Sequence, residues 1–265
     1  MEIAVVGGDL RQCYLADTLI NAGYIVKTFD LMCDDIAAGA VRKEKLSEAV
    51  KGCSAVVLPT PVSERWLSVA GMIKDNVILF GWNIPERFSC FKQFDFSKMD
   101  EVAQKNAVAT AEGTLAETIK YSNRNISGSK CLITGYGKCA KEIALRFRLM
   151  GAYVTVAARS RQQRDEAVFN GMDVCNMFER KDYSEYDYII NTVPARIIKK
   201  EDIDKFNRQV VIIDIASIPG GTDFEYCTRQ NIKAIHCLGL PGKYSPKTSG
   251  EILGNVIIEQ LAGGI

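Results

Sequence analysis

Short apolar runs alternate with longer mixed stretches along nearly the whole chain. IAVV (3–6) is followed by a glycine pair, then by residues from about Arg11 to Ala22 whose apolar positions recur at helical spacing. Gly23 closes that stretch, and YIVKTFD (24–30) is again strand-like. SAVVLPT (54–60) and NVILFGW (76–82) read as further buried strands, each ending in turn residues. A helical pattern from about Lys105 to Ser122 leads into SNRNISGSK, a polar break rich in Ser, Asn and Gly. A second series follows in KCLITGYG, AYVTVAAR, YDYIINTVP, QVVIIDIAS and KAIHCLGLPG. The last helical pattern, Ser249 to Leu261, has no strand after it.

Strands separated by helix-length segments predict parallel sheets with helices on both faces. The expected fold is α/β, with two Rossmann-like doubly wound parallel-sheet domains and an interdomain cleft. The polar break separates the two series. The expected domains are 1–105, for substrate and catalysis, and 106–244, for a nucleotide. By analogy with two-domain dehydrogenases, a closing helix over 245–265 is expected to pack back on the first.

Composition acts by exclusion. With 265 residues, 47% hydrophobic and 25% charged, the sequence has the make-up of a globular protein with a sizeable core. Its net charge of +1 gives no bulk pull toward nucleic acid or acidic membranes. No apolar run approaches the roughly 20 residues of a membrane span. The nine cysteines show no CxxC and no Cys/His cluster, so neither a metal site nor a disulfide framework is expected. With no signal peptide in view, that set points to a reducing cytoplasm.

Chemistry enters at LITGYGKCAKEIALRFRLMGAYVTVAARSRQQR (132–164). Gly135, Gly137 and Ala140 form G-x-G-x-x-A between an apolar strand and a helix. In that context the motif predicts a pyrophosphate on the helix N-terminus, with Tyr136 and Lys138 beside it. The second strand ends in Arg159, Ser160, Arg161 and Arg164, where a carboxylate would grip the ribose 2′-OH of NAD(H). A guanidinium there suits a 2′-phosphate, so the expected cofactor is NADP(H). The competing reading is a solvated surface helix. GGDLRQ (7–12) is not a second copy: Asp9 would oppose a phosphate, and Asp30 resembles an NAD signature without the glycine spacing before it.

Ligands of open α/β sheets bind beyond the carboxyl ends of the strands. NTVPAR (191–196), ASIPGG (216–221) and GLPGKYSPKTSG (239–250) are such loops, and Thr192, Val193, Pro194, Ala216, Ser217 and Leu240 are candidates against a nicotinamide. GGDLRQ, PTPVS (59–63) and TAEGT (110–114) come from the other series. Arg11, Thr60, Ser63, Thr114 and Lys247 would suit an anionic substrate, although each alone is more often a cap or a solvated side chain. The single histidine, His236, lies in the apolar run AIHCLGL, where a packed role outweighs that of a base. That weakens a 2-hydroxy-acid dehydrogenase reading, and no GxSxG, HExxH or P-loop pattern appears.

The runs GGDLRQ, TAEGT, INTVPARIIKK, IDIASIPGGTDF and GLPGKYSPKTSG resemble the dipicolinate synthase A-chain family of spore-forming Firmicutes. The likeness covers nearly the whole sequence. It departs in tighter connections around Cys33 to Lys51 and Phe88 to Asp100, and at His236. The resemblance implies an oxidoreductase of the sporulating mother-cell cytoplasm. It would oxidise a dihydrodipicolinate-level precursor to pyridine-2,6-dicarboxylate, with a flavoprotein-like second subunit of dipicolinate synthase. The expected small-molecule partner is then a small dicarboxylate substrate, held by Arg11 and Lys247 with Thr60, Ser63 or Thr114, and a homo-oligomer stays open. Two alternatives remain at this point: a 2-hydroxy-acid or alanine-dehydrogenase-like oxidoreductase, and a nucleotide-binding subunit without catalysis of its own.

Overall fold

The computed structural model describes residues 1–31, 35–179 and 183–263. Cys33 and the last two residues of the expected closing helix, Gly264 and Ile265, lie outside them. The chain divides into two compact units, Met1–Asn106 with Pro241–Ile265, and Ala107–Leu240.

The first unit contains β1 (Glu2–Val6), α1 (Leu10–Asn21), β2 (Ile25–Phe29), β3 (Val41–Arg42), α2 (Leu46–Val50), β4 (Ala55–Val57), β5 (Ile78–Gly81) and β6 (Gln93–Asp95). A long helix, α3 (Asp100–Tyr121), carries the chain across the unit boundary. The second unit follows with β7 (Lys130–Thr134), α4 (Lys138–Leu149), β8 (Tyr153–Ala158), α5 (Arg161–Phe169) and β9 (Asp173–Asn176). It continues through β10 (Tyr188–Asn191), α6 (Lys200–Ile203), β11 (Val211–Asp214), α7 (Phe224–Arg229) and β12 (Lys233–His236). Helices α8 (Leu240–Tyr244) and α9 (Pro246–Ala262) return the chain to the first unit.

Among the described residues each unit holds a six-stranded parallel sheet, ordered β3-β2-β1-β4-β5-β6 and β12-β11-β10-β7-β8-β9. Counted from the first strand of each unit, both follow the 3-2-1-4-5-6 order of dinucleotide-binding folds. The expected pair of doubly wound sheets is present. Alternation along each strand feeds two cores. In the second unit Leu132, Ile189 and Ile212 pack on one face, and Ile133, Tyr188, Ile190 and Ile213 on the other. Residues buried on both faces explain why these strands read as continuous apolar runs.

Strands β3, β6 and β9 escape the sequence reading. They are two to four residues long and lie at the sheet edges, as VR, QFD and DVCN, so no apolar run marks them. A 3₁₀ segment, Glu64–Gly71, is likewise unforeseen. Of the described cysteines, seven are free and Cys13 is disulfide-bonded. Residues that meet in a fold need share no spacing pattern in the chain.

Candidate functional site

In each doubly wound sheet the strand order reverses between the first and fourth strands, and ligands bind there. In the second unit those strands are β7 and β10. Gly135, at the end of β7, has φ +86, and a Cβ on it would lie 2.7 Å from Thr192 Oγ1 and 3.1 Å from a Val193 methyl. The loops after β7 and β10 are therefore in contact at the crevice, and only glycine fits the first. Gly137 is different. It caps α4 with ordinary extended backbone and has nothing within 4 Å of where a Cβ would be. Among the described residues no side chain caps α4, as at a helix N-terminus that receives an anion. Ala140, fully buried, lets the helix lie close to the sheet.

A buried polar network fixes these loops. Thr134 Oγ1 donates to Asn191 Oδ1 at 2.6 Å, and Asn191 Nδ2 donates to Asp214 Oδ1 at 2.8 Å. Asp214 also accepts from the N–H groups of Ala216 and Gly221, at 3.0 and 2.8 Å, and from the Thr222 hydroxyl at 2.7 Å. All four side chains are buried; Thr134, Asn191 and Asp214 end adjacent strands, and Thr222 follows in the loop that leads to α7. Sequence reasoning passes over Thr134, Asn191 and Asp214, because polar residues at strand ends look like the start of a loop. Their signal is the switch from apolar to polar at the last residue of three strands.

The expected contacts divide under this geometry. Thr192 is half-buried, and its hydroxyl donates to the Thr134 carbonyl at 2.7 Å. Val193 is half-buried, Pro194 and Ser217 are exposed, and Ala216 and Leu240 are buried. The Tyr136 ring is turned into the core, and its hydroxyl accepts from Asn170 at 3.2 Å, which leaves its backbone to the loop. Lys138 opens α4. At the end of β8, Arg159 and Ser160 are exposed, have no side-chain partner among the described residues, and share an open depression with Gln162 and Gln163. Arg164 is spent on the turn itself, donating to the carbonyls of Ala158 and Arg159 at 2.8 and 2.7 Å. Arg161 is exposed, 3.7 Å from Asp165.

His236 lies outside this set. Its Nε2 is 2.7 Å from the Ala216 carbonyl and its ring stacks on Phe224, with centroids 5.3 Å apart. The ring is thus packed on Phe224, with one nitrogen engaged by the Ala216 carbonyl.

The corresponding crevice of the first unit is closed to a phosphate. Asp9 caps α1, and its carboxylate accepts the Arg11 N–H at 3.0 Å, placing a negative charge where α4 has no side-chain cap among the described residues. The Trp66 indole packs directly on Gly7, while Arg65 ion-pairs with Asp30 and lies 4.4 Å over the Trp66 ring. Asp30 is engaged in that pair.

Arg11 Nη2 points at the Thr60 carbonyl at 3.4 Å, and Gln12, fully buried and unforeseen, donates to the Leu58 carbonyl at 2.7 Å. Ser63 is exposed and caps the 3₁₀ segment without a side-chain bond. Lys247 is exposed in the first turn of α9, 4.0 Å from Glu251. α9 lies along α1 by way of two glycines. A Cβ on Gly250 would come 2.5 Å from the Arg11 carbonyl, and one on Gly254 would come 2.8 Å from Thr18. Thr114 belongs to the second unit, is fully buried, and donates its hydroxyl to the Thr110 carbonyl at 2.7 Å. It has no donor left for a ligand.

A glycine turn at a switch point followed by a helix is the framework of a dinucleotide-binding unit. Residues 97–217 match the family "D-isomer specific 2-hydroxyacid dehydrogenase, NAD binding domain", so the protein carries the NAD-binding domain of a dehydrogenase. Residues 2–110 match the family of the N-terminal domain of the dipicolinate synthase A chain. The dipicolinate synthase A chain of Bacillus subtilis (strain 168) is 37% identical, over 99% of this chain and 96% of that protein. The protein belongs to the dipicolinate synthase A-chain family. The crystal structure of the A chain from Bacillus subtilis superposes with TM-score 0.85 at 27% identity, covering 99% and 96% of the two chains. That of its counterpart from Bacillus halodurans gives TM-score 0.89 at 24% identity, over 98% and 97%. No helix among the described residues is long and apolar enough to cross a membrane.

Proposed function

We propose that the protein is an NADP-dependent oxidoreductase that oxidises a dihydrodipicolinate-level precursor to pyridine-2,6-dicarboxylate, in the mother-cell cytoplasm of a sporulating bacterium, with a flavoprotein-like second subunit. Near full-length membership of the A-chain family supports the substrate. The choice of NADP(H) over NAD(H) is carried by one observation, the unpaired Arg159 and Ser160 at the end of β8.

The nicotinamide supplies a hydride acceptor. Loss of a hydride and a proton from a dihydropyridine leaves an aromatic ring, so much of the driving force lies in the substrate and positioning is the protein's main task. In this reading Arg11, Lys247, Thr60 and Ser63 of the first unit hold carboxylates. The α4 N-terminus holds the pyrophosphate, and Arg159 takes a 2′-phosphate in bidentate fashion.

Calorimetric titration with NADP(H) and NAD(H) tests this on the wild type and on Arg159→Ala. A preference for NADP(H) of about tenfold, or roughly 1.4 kcal/mol, abolished in the variant, is expected. Equal affinities in the wild type would mean that the arginines form a solvated face. A second reading is favoured by the packing of His236 against Phe224 and the Ala216 carbonyl: the protein binds nucleotide and acts only through its partner. It predicts tight NADPH binding with no turnover by the isolated chain.

A further inference from the structure

A guanidinium carries five N–H donors in a rigid fork, so the donors already taken decide how it can receive a ligand. Arg11 Nε donates to Asp9 Oδ1 at 2.9 Å and lies 3.1 Å from Oδ2, while Nη2 donates to Oδ2 at 2.7 Å. Nη2 also makes the long contact to the Thr60 carbonyl. Nη1 has no partner among the described residues. One edge of the fork is therefore shut by Asp9, and the other stays open at Nη1.

The pair is held from outside as well. Only 13% of the Arg11 side chain is exposed. A Cβ on Gly242 would lie 2.7 Å from both Arg11 Nε and Asp9 Oδ2, so the end of the GLPG run packs directly on the GGDLRQ run. Burial pushes the Asp9 carboxyl up, but the hydrogen bonds and charge of Arg11 outweigh it and keep it below the usual carboxylate range. Capping α1 does not account for this arrangement. A cap needs one acceptor for a backbone N–H, whereas three further contacts join Asp9 to the guanidinium.

We propose that Asp9 is a positioning residue for Arg11, clamping the Nε–Nη2 edge so that a ligand carboxylate is received on Nη1 while the Asp9–Arg11 pair stays intact. The inference rests on the reading of Arg11 as a carboxylate anchor. It adds a direction of approach: the carboxylate arrives end-on from the Nη1 side, and Gly242 is the residue whose size keeps the clamp in register.

The test uses arginine side-chain 15N–1H spectra of the full chain saturated with NADP(H), with pyridine-2,6-dicarboxylate as the probe. The Arg11 signals are assigned by their loss in Arg11→Lys. The Nη1 resonance is expected to move on titration while the Nε–H resonance keeps its position. In Asp9→Asn, which retains a cap of equal quality, the Nε–H resonance is expected to shift before any ligand is added and to move again with it. Gly242→Ala should shift it in the same way with no change of charge. A wild-type Nε–H signal that moves in step with Nη1 would mean the ligand displaces Asp9, and so would overturn the clamp. So would an Asp9→Asn spectrum matching the wild type. Calorimetry on Arg11→Ala separates the two levels of the argument. A tenfold or greater loss of dipicolinate affinity keeps Arg11 as the anchor whatever the clamp does. Unchanged affinity, or no binding by the wild type, removes the anchor and the clamp together.

Discussion

Gly135 and Gly137 stand two residues apart in one motif, yet they are glycines for different reasons. Gly135 is required by the fold, since its φ is +86 and Thr192 Oγ1 occupies the space of a Cβ. Gly135→Ala should cost about 2–3 kcal/mol of stability from left-handed backbone and crowding together. Gly137 is free of both constraints, so Gly137→Ala should melt within about 2 °C of the wild type. Its methyl would stand where a pyrophosphate approaches, and NADPH affinity should fall about tenfold or more. Thermal melts and calorimetry on the two variants check the contrast, and a Gly137→Ala protein that binds normally would refute it. The motif was legible in the sequence, but this division of labour was not. Nor could the sequence show that the Tyr136 ring and the Thr114 hydroxyl turn inward, because a residue's neighbours along the chain do not say which way it faces.

The elements were read where burial on both faces writes a continuous apolar run, and were missed where an edge strand makes do with two to four residues. The turn after β6 shows what such an edge uses in place of apolar area. Asp95 accepts the N–H groups of Asn83, Ile84 and Ser97 and the Ser97 hydroxyl, at 2.9, 3.2, 3.0 and 2.6 Å. Burial raises its carboxyl, but those hydrogen bonds prevail and hold it below the ordinary value. A carboxyl depressed in the folded state stabilises above its unfolded pKa, near 3.9, and loses that contribution as pH falls through the lower folded value. Asp95→Asn should therefore be less stable than the wild type above about pH 5 by roughly 1–3 kcal/mol, with the gap closing toward about pH 2. A constant gap in denaturant titrations across that range would show that the charge plays no part. Between helices the device is small residues. Gly250→Ala would drive α9 off the Arg11 carbonyl, costing about 1–3 kcal/mol. Because α1 carries Arg11, it should also weaken dipicolinate binding, which melting and calorimetry on one variant can show together.

At the scale of the whole molecule, two sheets of one topology have taken opposite courses at their crevices. The second has no side-chain cap on its helix among the described residues, and starts it from a bare glycine. The first caps its helix with Asp9, sets Trp66 on Gly7 and engages Asp30 with Arg65. The fold class was readable from the alternation of runs, and the contrast between crevices partly so, since Asp9 already argued against a phosphate. Trp66 was not: it belongs to a 3₁₀ segment that lacks the spacing of a helix and the alternation of a strand. The division of the chain also bears on how the protein is made. The second unit is one unbroken stretch, Ala107–Leu240, but the first is split around it and takes α9 from the end of the chain. On the ribosome the usual order of N-terminal domain first should therefore be inverted. A chain truncated after Leu240 and released should hold a protease-resistant Ala107–Leu240 core beside a cleavable Met1–Asn106, and the latter should gain protection in the chain that includes α9. The arm bearing Arg11 would thus be the last to mature, and a chain released early would present a finished second sheet beside an unfinished first.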